Sequence, residues 1–279
     1  MISWKTAADN NALVRQLMVH GMEIKTLVYE SGPTGFGLAR ACRSVGISVI
    51  VAVPSRVIRP VSPTAKTDSL DCRKLAELAA KDMIRSIAVP SEEEEALRAL
   101  ERRRHQLADS QRKVRQRIKG FLLFHGIAEP TGLERWSIQA MHTLAQMPLN
   151  EMLRDTLDDY LEELRHVRQR ILALERKLTR HTAALHQHRL AYLQSVPGVG
   201  QIVASSFLSE LFRPERFQRG EEVAAYLGLA PFVRHSGEKS PVGRLRPTGH
   251  SRLRSLLVEA AWSWKSRAAP IIKKSRFYI

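Results

Sequence analysis

The sequence predicts an α/β N-terminal domain followed by a mainly α chain, built from long coiled-coil helices and a helical C-terminal domain. Three observations carry this reading. Up to about residue 90, helical and strand-like patterns alternate, the order expected of a parallel sheet covered by helices. Between about 91 and 189, two long helical patterns flank a connector, 127–150, that contains Pro130, Gly132 and Pro148 and reads as irregular. From Leu190 onward, short helical patterns are separated by turns containing Gly and Pro, with no second β-rich domain. The expected domains are therefore 1–90, 91–189 and 190–279.

The elements follow in order. Asn11 to His20 is a short helical pattern that stops at Gly21, a residue type suited to a helix C-cap. Ile24 to Tyr29 reads as a strand, and Phe36 to Val45 as a helix ending at Gly46. Ile47 to Val53 is a nearly continuous β-branched run, as in a strand buried on both faces. Ser69 to Met83 is helical, and Ile84 to Val89 reads as another short strand. After Pro90, Ser91 can cap a long helix whose first turn, Glu92 to Glu95, suits the positive end of the helix dipole. That helix runs to about His125 and stops at Gly126. In the second long helix, Leu153, Leu157, Tyr160, Leu164, Val167, Ile171, Leu174 and Leu178 alternate spacings of four and three, the seam of a coiled coil. The partner of that seam is either the first long helix or another subunit, and a homo-oligomer through the coiled coil is the expected assembly.

Charge narrows the function. The 279 residues carry 44 Lys and Arg against 28 Asp and Glu, a balance of +16. Such an excess calls for a polyanionic partner, nucleic acid before anionic membrane. No apolar run approaches the roughly 18 residues that a membrane-spanning helix needs, and Met1-Ile2-Ser3-Trp4-Lys5 does not open a signal peptide. Cys42 and Cys72 have no metal-type spacing and suit a reducing, cytoplasmic setting. His181, His186 and His188 read as solvated helix surface. Between Arg98 and Lys119 lie nine basic and two acidic residues, which is either a solvated face or a phosphate-binding stripe.

Three carboxylates stand out in the first domain. Glu30 ends the strand Leu27-Val28-Tyr29-Glu30, and parallel sheets place functional groups at the carboxyl ends of their strands. Asp68 and Asp71 open a helix, and their spacing of three puts both on one face. Converging carboxylates hold Mg²⁺, but Asp-x-x-Asp at a helix start also serves as a capping arrangement, so both readings stand. Gly32-Pro33-Thr34-Gly35-Phe36-Gly37 lacks the residues of a nucleotide-binding loop and reads as a tight strand-to-helix turn.

Two features mark the C-terminal part. Pro197-Gly198-Val199-Gly200 lies between two helical patterns, as a plain turn or as a turn that lets backbone N–H groups meet a phosphate. Further on, Ser236 lies on a loop among Arg234, Lys239, Arg244 and Arg246, cations that could steady a phosphate and favour a serine alkoxide; a Ser-Gly in a basic loop is otherwise only a loop. From Phe232 to the end there are eleven basic and two acidic residues.

Together these pieces resemble the insertion-sequence-110 family of transposases over nearly the whole chain. The carriers are Tyr29-Glu30-Ser31-Gly32-Pro33-Thr34-Gly35, Lys66-Thr67-Asp68-Ser69-Leu70-Asp71, Val196-Pro197-Gly198-Val199-Gly200, Tyr226-Leu227-Gly228-Leu229-Ala230-Pro231 with His235-Ser236-Gly237, and the closing Leu253-Arg254-Ser255-Leu256-Leu257-Val258-Glu259-Ala260-Ala261. The resemblance implies a ribonuclease-H or RuvC-like domain with a DEDD carboxylate set, a coiled coil and a C-terminal transposase domain with an essential serine. Carried across, Glu30 is the second carboxylate, Asp68 and Asp71 are the third and fourth, and Ser236 attacks DNA to form a phosphoserine link. Mg²⁺ is the implied cofactor. DNA, as element ends and target, is the implied partner, joined in some members by a structured guide RNA. The first aspartate of the set has no counterpart on a strand here, so the RuvC-like domain is expected to be partial and N-terminally truncated. The rival readings are a basic coiled-coil nucleic-acid-binding protein without catalysis, and a metal-dependent nuclease in which Ser236 is incidental.

Overall fold

The computed structural model describes residues 7–19, 24–53, 68–233, 242–245 and 249–272. The chain divides between Ser91 and Glu92 into two compact units.

The first unit contains α1 (Asn10–Val19), β1 (Leu27–Glu30), α2 (Gly37–Ser44), β2 (Val49–Ala52) and α3 (Asp68–Ala80). The two strands are parallel, with Leu27 opposite Val49 and Glu30 opposite Ala52. Strand alternation then sorts the side chains onto two faces. Leu27, Tyr29, Val49 and Val51 share a core with Val14 and Leu17 of α1 and Ala39 and Cys42 of α2. Val28, Ile50 and Ala52 pack on the other side against Leu75 and Leu78 of α3 and against Ile84. The strand expected at Ile84–Val89 is instead an extended segment without strand pairing. Ile87 donates its backbone N–H to the Val51 carbonyl at 3.0 Å, but the Val51 N–H goes to the Ser86 hydroxyl at 3.1 Å. A side-chain acceptor in place of a main-chain carbonyl ends the ladder after one bond. Ile84 and Val89 are nevertheless buried, which is why the segment carries a strand-like apolar pattern.

The second unit contains α4 (Glu92–Phe124), α5 (Ile138–Gln146), α6 (Glu151–Ser195), α7 (Gln201–Leu211), α8 (Gly220–Leu227), β3 (Pro231–Val233), β4 (Val242–Leu245) and α9 (Ser251–Ile272). The helices α4 and α6 form an antiparallel hairpin, with Arg104 bonded to Glu175 at 2.7 Å and Arg117 to Glu163 at 3.4 Å. The partner of the α6 seam is α4 of the same chain. Val114, Ile118 and Leu122 pack with Leu157, Leu161 and Leu164, and Leu107 packs with Val167 and Ile171. Leu161 is buried more fully than the seam residue Tyr160. The seam continues past Leu178 through Thr182, His186 and Leu190, all buried. His186 is therefore not solvated surface as expected, although His181 and His188 are exposed. It marks a kink in α6, with φ −141° and ψ 35°, and burial holds its imidazole below the usual histidine range.

The connector 127–150 is not irregular. Gly132, at φ 86°, leads into a 3₁₀ turn at Leu133–Arg135. Ser137 then caps α5 by accepting the Ala140 N–H at 3.1 Å, and Asn150 caps α6 by accepting the Leu153 N–H at 2.9 Å. Leu133, Ala140 and Leu144 are fully buried against α4 and α6, so this end of the hairpin is a small three-helix bundle. The antiparallel pair β3–β4 lies in the region expected to consist of short helices separated by turns, and no strand was expected there. Among the described residues, no helix is long and apolar enough to cross a membrane.

Deleting buried side-chain volume should separate seam from surface. Leu161→Ala should lower the unfolding free energy by about 2–5 kcal/mol, while Met152→Ala, at an exposed position, should stay within about 0.5 kcal/mol of the parent. Urea unfolding followed by helical circular dichroism distinguishes the two, and equal losses would contradict this packing.

Candidate catalytic residues and nucleic-acid interface

In the first unit, Glu30 shares strand parity with Val28, so it lies at the carboxyl end of β1 on the face that α3 covers. Asp68 and Asp71 fall in the first turn of α3, but their side chains lie outside the described residues. The fold thus brings the helix that bears the two aspartates onto the face of the sheet that bears Glu30. Among the described residues no group of three His, Cys, Asp or Glu is close enough to hold a metal ion. Three carboxylates are oxygen donors of the kind a hard divalent cation takes, and Mg²⁺ fits that chemistry. The Gly32–Gly37 loop is the tight turn expected. Gly35 has φ 66°, its N–H reaches the Gly32 carbonyl at 3.3 Å, and its carbonyl accepts the Tyr29 hydroxyl at 3.4 Å.

In the second unit, Val233 pairs with Val242, and Pro231 with Leu245. This pairing brings together the residues on either side of the segment 234–241, to which Arg234, Ser236 and Lys239 belong. Those three, Arg246 and the side chain of Arg244 lie outside the described residues. Beyond β4, the chain is held at Gly249 and at the start of α9. At Gly249, φ 92°, a Cβ would come within 2.8 Å of Gly228 N, so only glycine permits this approach of the chain to the end of α8. Arg254 donates to the Gly228 carbonyl at 3.0 Å, and the His250 ring lies 4.9 Å from that of Tyr226.

Around His250 and Arg252, at the start of α9, sits a charged cluster that the sequence reading missed. Glu101 on α4 and Glu210 on α7 are 0% and 1% exposed. Arg102 grips Glu210 with two bonds of 3.2 Å, Arg98 approaches it at 3.3 Å and His250 at 3.6 Å. Arg252 reaches Glu101 at 2.6 Å and also contacts Glu210. Glu101 also accepts the Ser206 hydroxyl at 2.7 Å. Burial opposes ionisation of Glu210, yet Arg102, Arg98 and His250 outweigh it and hold the carboxyl below the usual carboxylate range. Burial pushes His250 down, assisted by the neighbouring arginines against the pull of Glu210. Beside the cluster opens a cleft of about 230 Å³ lined by Arg102, Glu210, Gly249, His250, Ser251 and Arg252, with Leu253 at its wall. One signal was available in the sequence: Glu101 occupies a seam position between Leu97 and Leu107 where an apolar residue belongs.

The glycines of the Pro197–Gly200 turn divide their work. At Gly198, φ 86°, a Cβ would lie 2.3 Å from the Ala260 carbonyl oxygen, so its close approach is to α9. Gly200 has open space around it and precedes α7, whose start carries no side-chain cap, and Pro197 is exposed. The α4 stripe is divided too, because Arg98, Arg102 and Arg104 are engaged with Glu210 and Glu175.

Both units are matched by transposase families. Residues 5–126 match a transposase family of the IS110 DEDD type, and residues 190–276 match the transposase IS116/IS110/IS902 family. The chain thus carries two segments that match domains of the IS110/IS116 transposase families. It is similar to y4qE of Sinorhizobium fredii, named as a transposase, with 31% identity over 259 residues covering 90% of this chain and 60% of the relative. It is 26% identical over 230 residues to a Pseudomonas aeruginosa protein named as a family 20 transposase, covering 80% of this chain and 66% of that one. Against the transposase for insertion sequence element IS1533 of Leptospira borgpetersenii it is 28% identical over 238 residues, 84% of this chain and 69% of the relative. The chain thus spans about three fifths to two thirds of the length of these curated relatives.

Removing one side of the buried cluster strands the other. Glu210→Ala leaves Arg98, whose side chain is 12% exposed, without its carboxylate and should cost about 3–5 kcal/mol. Acid acts in the same direction. Glu210 has a depressed folded pKa, so its contribution is complete above the ordinary carboxylate value and is lost as pH falls through the lower folded one. His250 is also depressed, so its contribution is complete above the ordinary histidine value and is lost as pH falls through its folded value. Urea midpoints should therefore fall as pH drops from 7 to 3, through His250 first and through Glu210 below the ordinary carboxylate value, and His250→Gln should flatten the upper part of that decline. A flat profile for the parent would refute the linkage.

Proposed function

We propose that this protein cuts and rejoins DNA as an insertion-sequence transposase. One observation supports the reading above the others: a single chain carries both a strand-end glutamate facing an aspartate-bearing helix and a separate basic segment flanked by the paired strands β3 and β4, each within a region matching a transposase family. Glu30, Asp68 and Asp71 would hold Mg²⁺, which supplies positive charge to a phosphodiester as negative charge builds on its oxygens. In the reaction proposed here, the Ser236 oxygen attacks phosphorus. A serine–phosphate bond forms, the phosphorus–sugar oxygen bond breaks, and the serine proton ends on the departing sugar oxygen. Arg234, Lys239, Arg244 and Arg246 steady the phosphate during the exchange. The β3–β4 base and the Gly249–His250 segment hold the two ends of the region that presents these residues.

Binding precedes chemistry. Gly200 and the uncapped start of α7 suit contact with backbone phosphate, as does the C-terminal excess of cations. A structured guide RNA is the second polyanion that this reading allows.

Two outcomes test the proposal. Ser236→Ala should abolish a covalent protein–DNA adduct, trapped on element-end DNA and seen by denaturing gel, while leaving DNA affinity within about twofold. An adduct that survives the substitution moves the nucleophile elsewhere. With six or more phosphate contacts, affinity should fall about a thousandfold between 50 and 200 mM salt, and a salt-independent titration would remove the electrostatic basis of binding.

A further inference from the structure

A large apolar ring left in solvent costs free energy until something covers it, and α9 holds one at the centre of its solvent face. Ser251, Ser255, Val258, Trp262 and Lys265 are all exposed and follow one another at spacings of four, three, four and three, so they line one side of the helix. The opposite side carries the buried Leu253 and Ala260. Trp262 is 61% exposed, the most exposed of the described tryptophans. The Lys265 ammonium lies 5.0 Å from the centre of its ring. Trp264, two residues on, falls on the other side, where Gly198 approaches the helix between Ala260 and Trp264. From Arg252 to the end of the chain there are seven basic residues and one acidic, Glu259.

We propose that this stripe is a stacking surface for the unpaired bases of single-stranded DNA, with Trp262 as the stacking residue and Lys265 as the phosphate partner beside it. Cations alone account for binding any polyanion, but they do not account for an exposed indole. Bases inside a duplex are covered by their neighbours, whereas an unpaired base offers a free π face to an aromatic side chain. An ammonium is favourable both on a ring face and against a phosphate, so Lys265 has a phosphate to move to when a base takes its place on Trp262. A membrane surface calls for several large apolar side chains along such a stripe, and here Ser251 and Ser255 occupy those positions. The inference rests on the strand-cutting reading, because exchanging strands requires base pairs to open. It goes beyond that reading in separating unpaired from paired DNA, which phosphate contacts at Gly200 and α7 do not do.

Binding of a 20-nucleotide oligothymidine and of a 20-base-pair duplex to the full chain tests it, read by anisotropy of the labelled DNA and by tryptophan emission. The single strand should quench that emission to saturation, and the duplex should bind without the quench. Trp262→Ala should weaken single-strand binding about tenfold or more and remove most of the quench, while leaving duplex affinity within about twofold. Trp262→Phe keeps a ring and should recover most of the single-strand affinity. Met152→Ser, at an exposed apolar position on α6, should change neither affinity. All variants should keep the parent's helical circular dichroism, since every substituted side chain is exposed. Equal losses for the two DNAs in Trp262→Ala, or no loss for either, overturn the proposal. Quenching by a uridine 20-mer but not by the thymidine one overturns it too and gives the surface to RNA. Quenching only by phosphatidylcholine–phosphatidylglycerol vesicles overturns it and gives the surface to a membrane. A chain that binds duplex but no single strand sinks this inference and leaves the strand-cutting reading standing, whereas one that binds neither DNA sinks both.

Discussion

Two carboxylates, Glu101 and Glu210, are removed from water while their neighbours keep at least one of them charged, and the geometry of the second unit follows from meeting that cost. Withdrawing an ion from water costs several kcal/mol even after relaxation. The cost is offset only where cations and hydrogen-bond donors converge. Here they come from three helices: Arg98 and Arg102 from α4, Ser206 from α7, and Arg252 from α9, with His250 just before it. Apolar helix faces tolerate small slides past one another, but an ion cluster of this kind does not. It therefore fixes one arrangement of α4, α7 and α9.

The surroundings strengthen that constraint. The Arg216 guanidinium lies 4.6–4.8 Å from the centres of three rings, those of Phe212, Phe217 and Tyr226. Arg98 lies 4.8 Å from the ring of Phe212, and Tyr226 in turn stacks beside His250. An aromatic layer thus borders the charged cluster. Excluding water lowers the local dielectric and strengthens every pairing inside it, and it equally raises the cost of a missing partner. The beginning of α9 and the Gly249–Gly228 approach lie beside this layer, so the ion cluster is joined to the end of α8.

How much of this was legible in the sequence depended on the range of the determining interaction. The β-branched run at Ile47–Val53, the strand end at Glu30 and the heptad spacing of α6 are local periodicities, and each element appears where its pattern lies. The segment Ile84–Val89 misled because apolar alternation reports burial, whereas strand pairing was decided by one hydroxyl, that of Ser86. The connector misled for the opposite reason. Its helix, Ile138–Gln146, lies among the turn signals Pro130, Gly132 and Pro148, which gave the segment its irregular reading, and its order comes from the Ser137 cap and from contacts with helices on either side. Glu101 was visible only as an anomaly in a seam, because the arginine that answers it lies 151 positions further along the chain. Ser236, Asp68 and Asp71 are legible as motif residues, and the chemistry proposed for them rests on that legibility joined to the placement of Glu30 and of the β3–β4 pair.

Charge counted along a sequence also differs from charge available at a surface. Of the nine cations between Arg98 and Lys119, Arg98 and Arg102 are committed to Glu210, Arg104 to Glu175, Arg112 to Asp109, Arg117 to Glu163 and Lys119 to Glu129. The exposed pairs among these can exchange a carboxylate for a phosphate at little cost, since an exposed ion pair contributes at most about 1 kcal/mol. The Arg98 pair cannot, because it is buried. The stripe on α4 is thus two things in one sequence: an inner row that holds the fold and an outer row open to a polyanion. On α6 the middle of the helix, 165–180, has six basic residues and one acidic, and 151–163 has six acidic and one basic. The antiparallel pairing sets that basic stretch beside the basic stretch of α4 and carries the acidic stretch out to the tip. A single hairpin is thereby zoned along its length, with one zone that attracts phosphate and one that repels it.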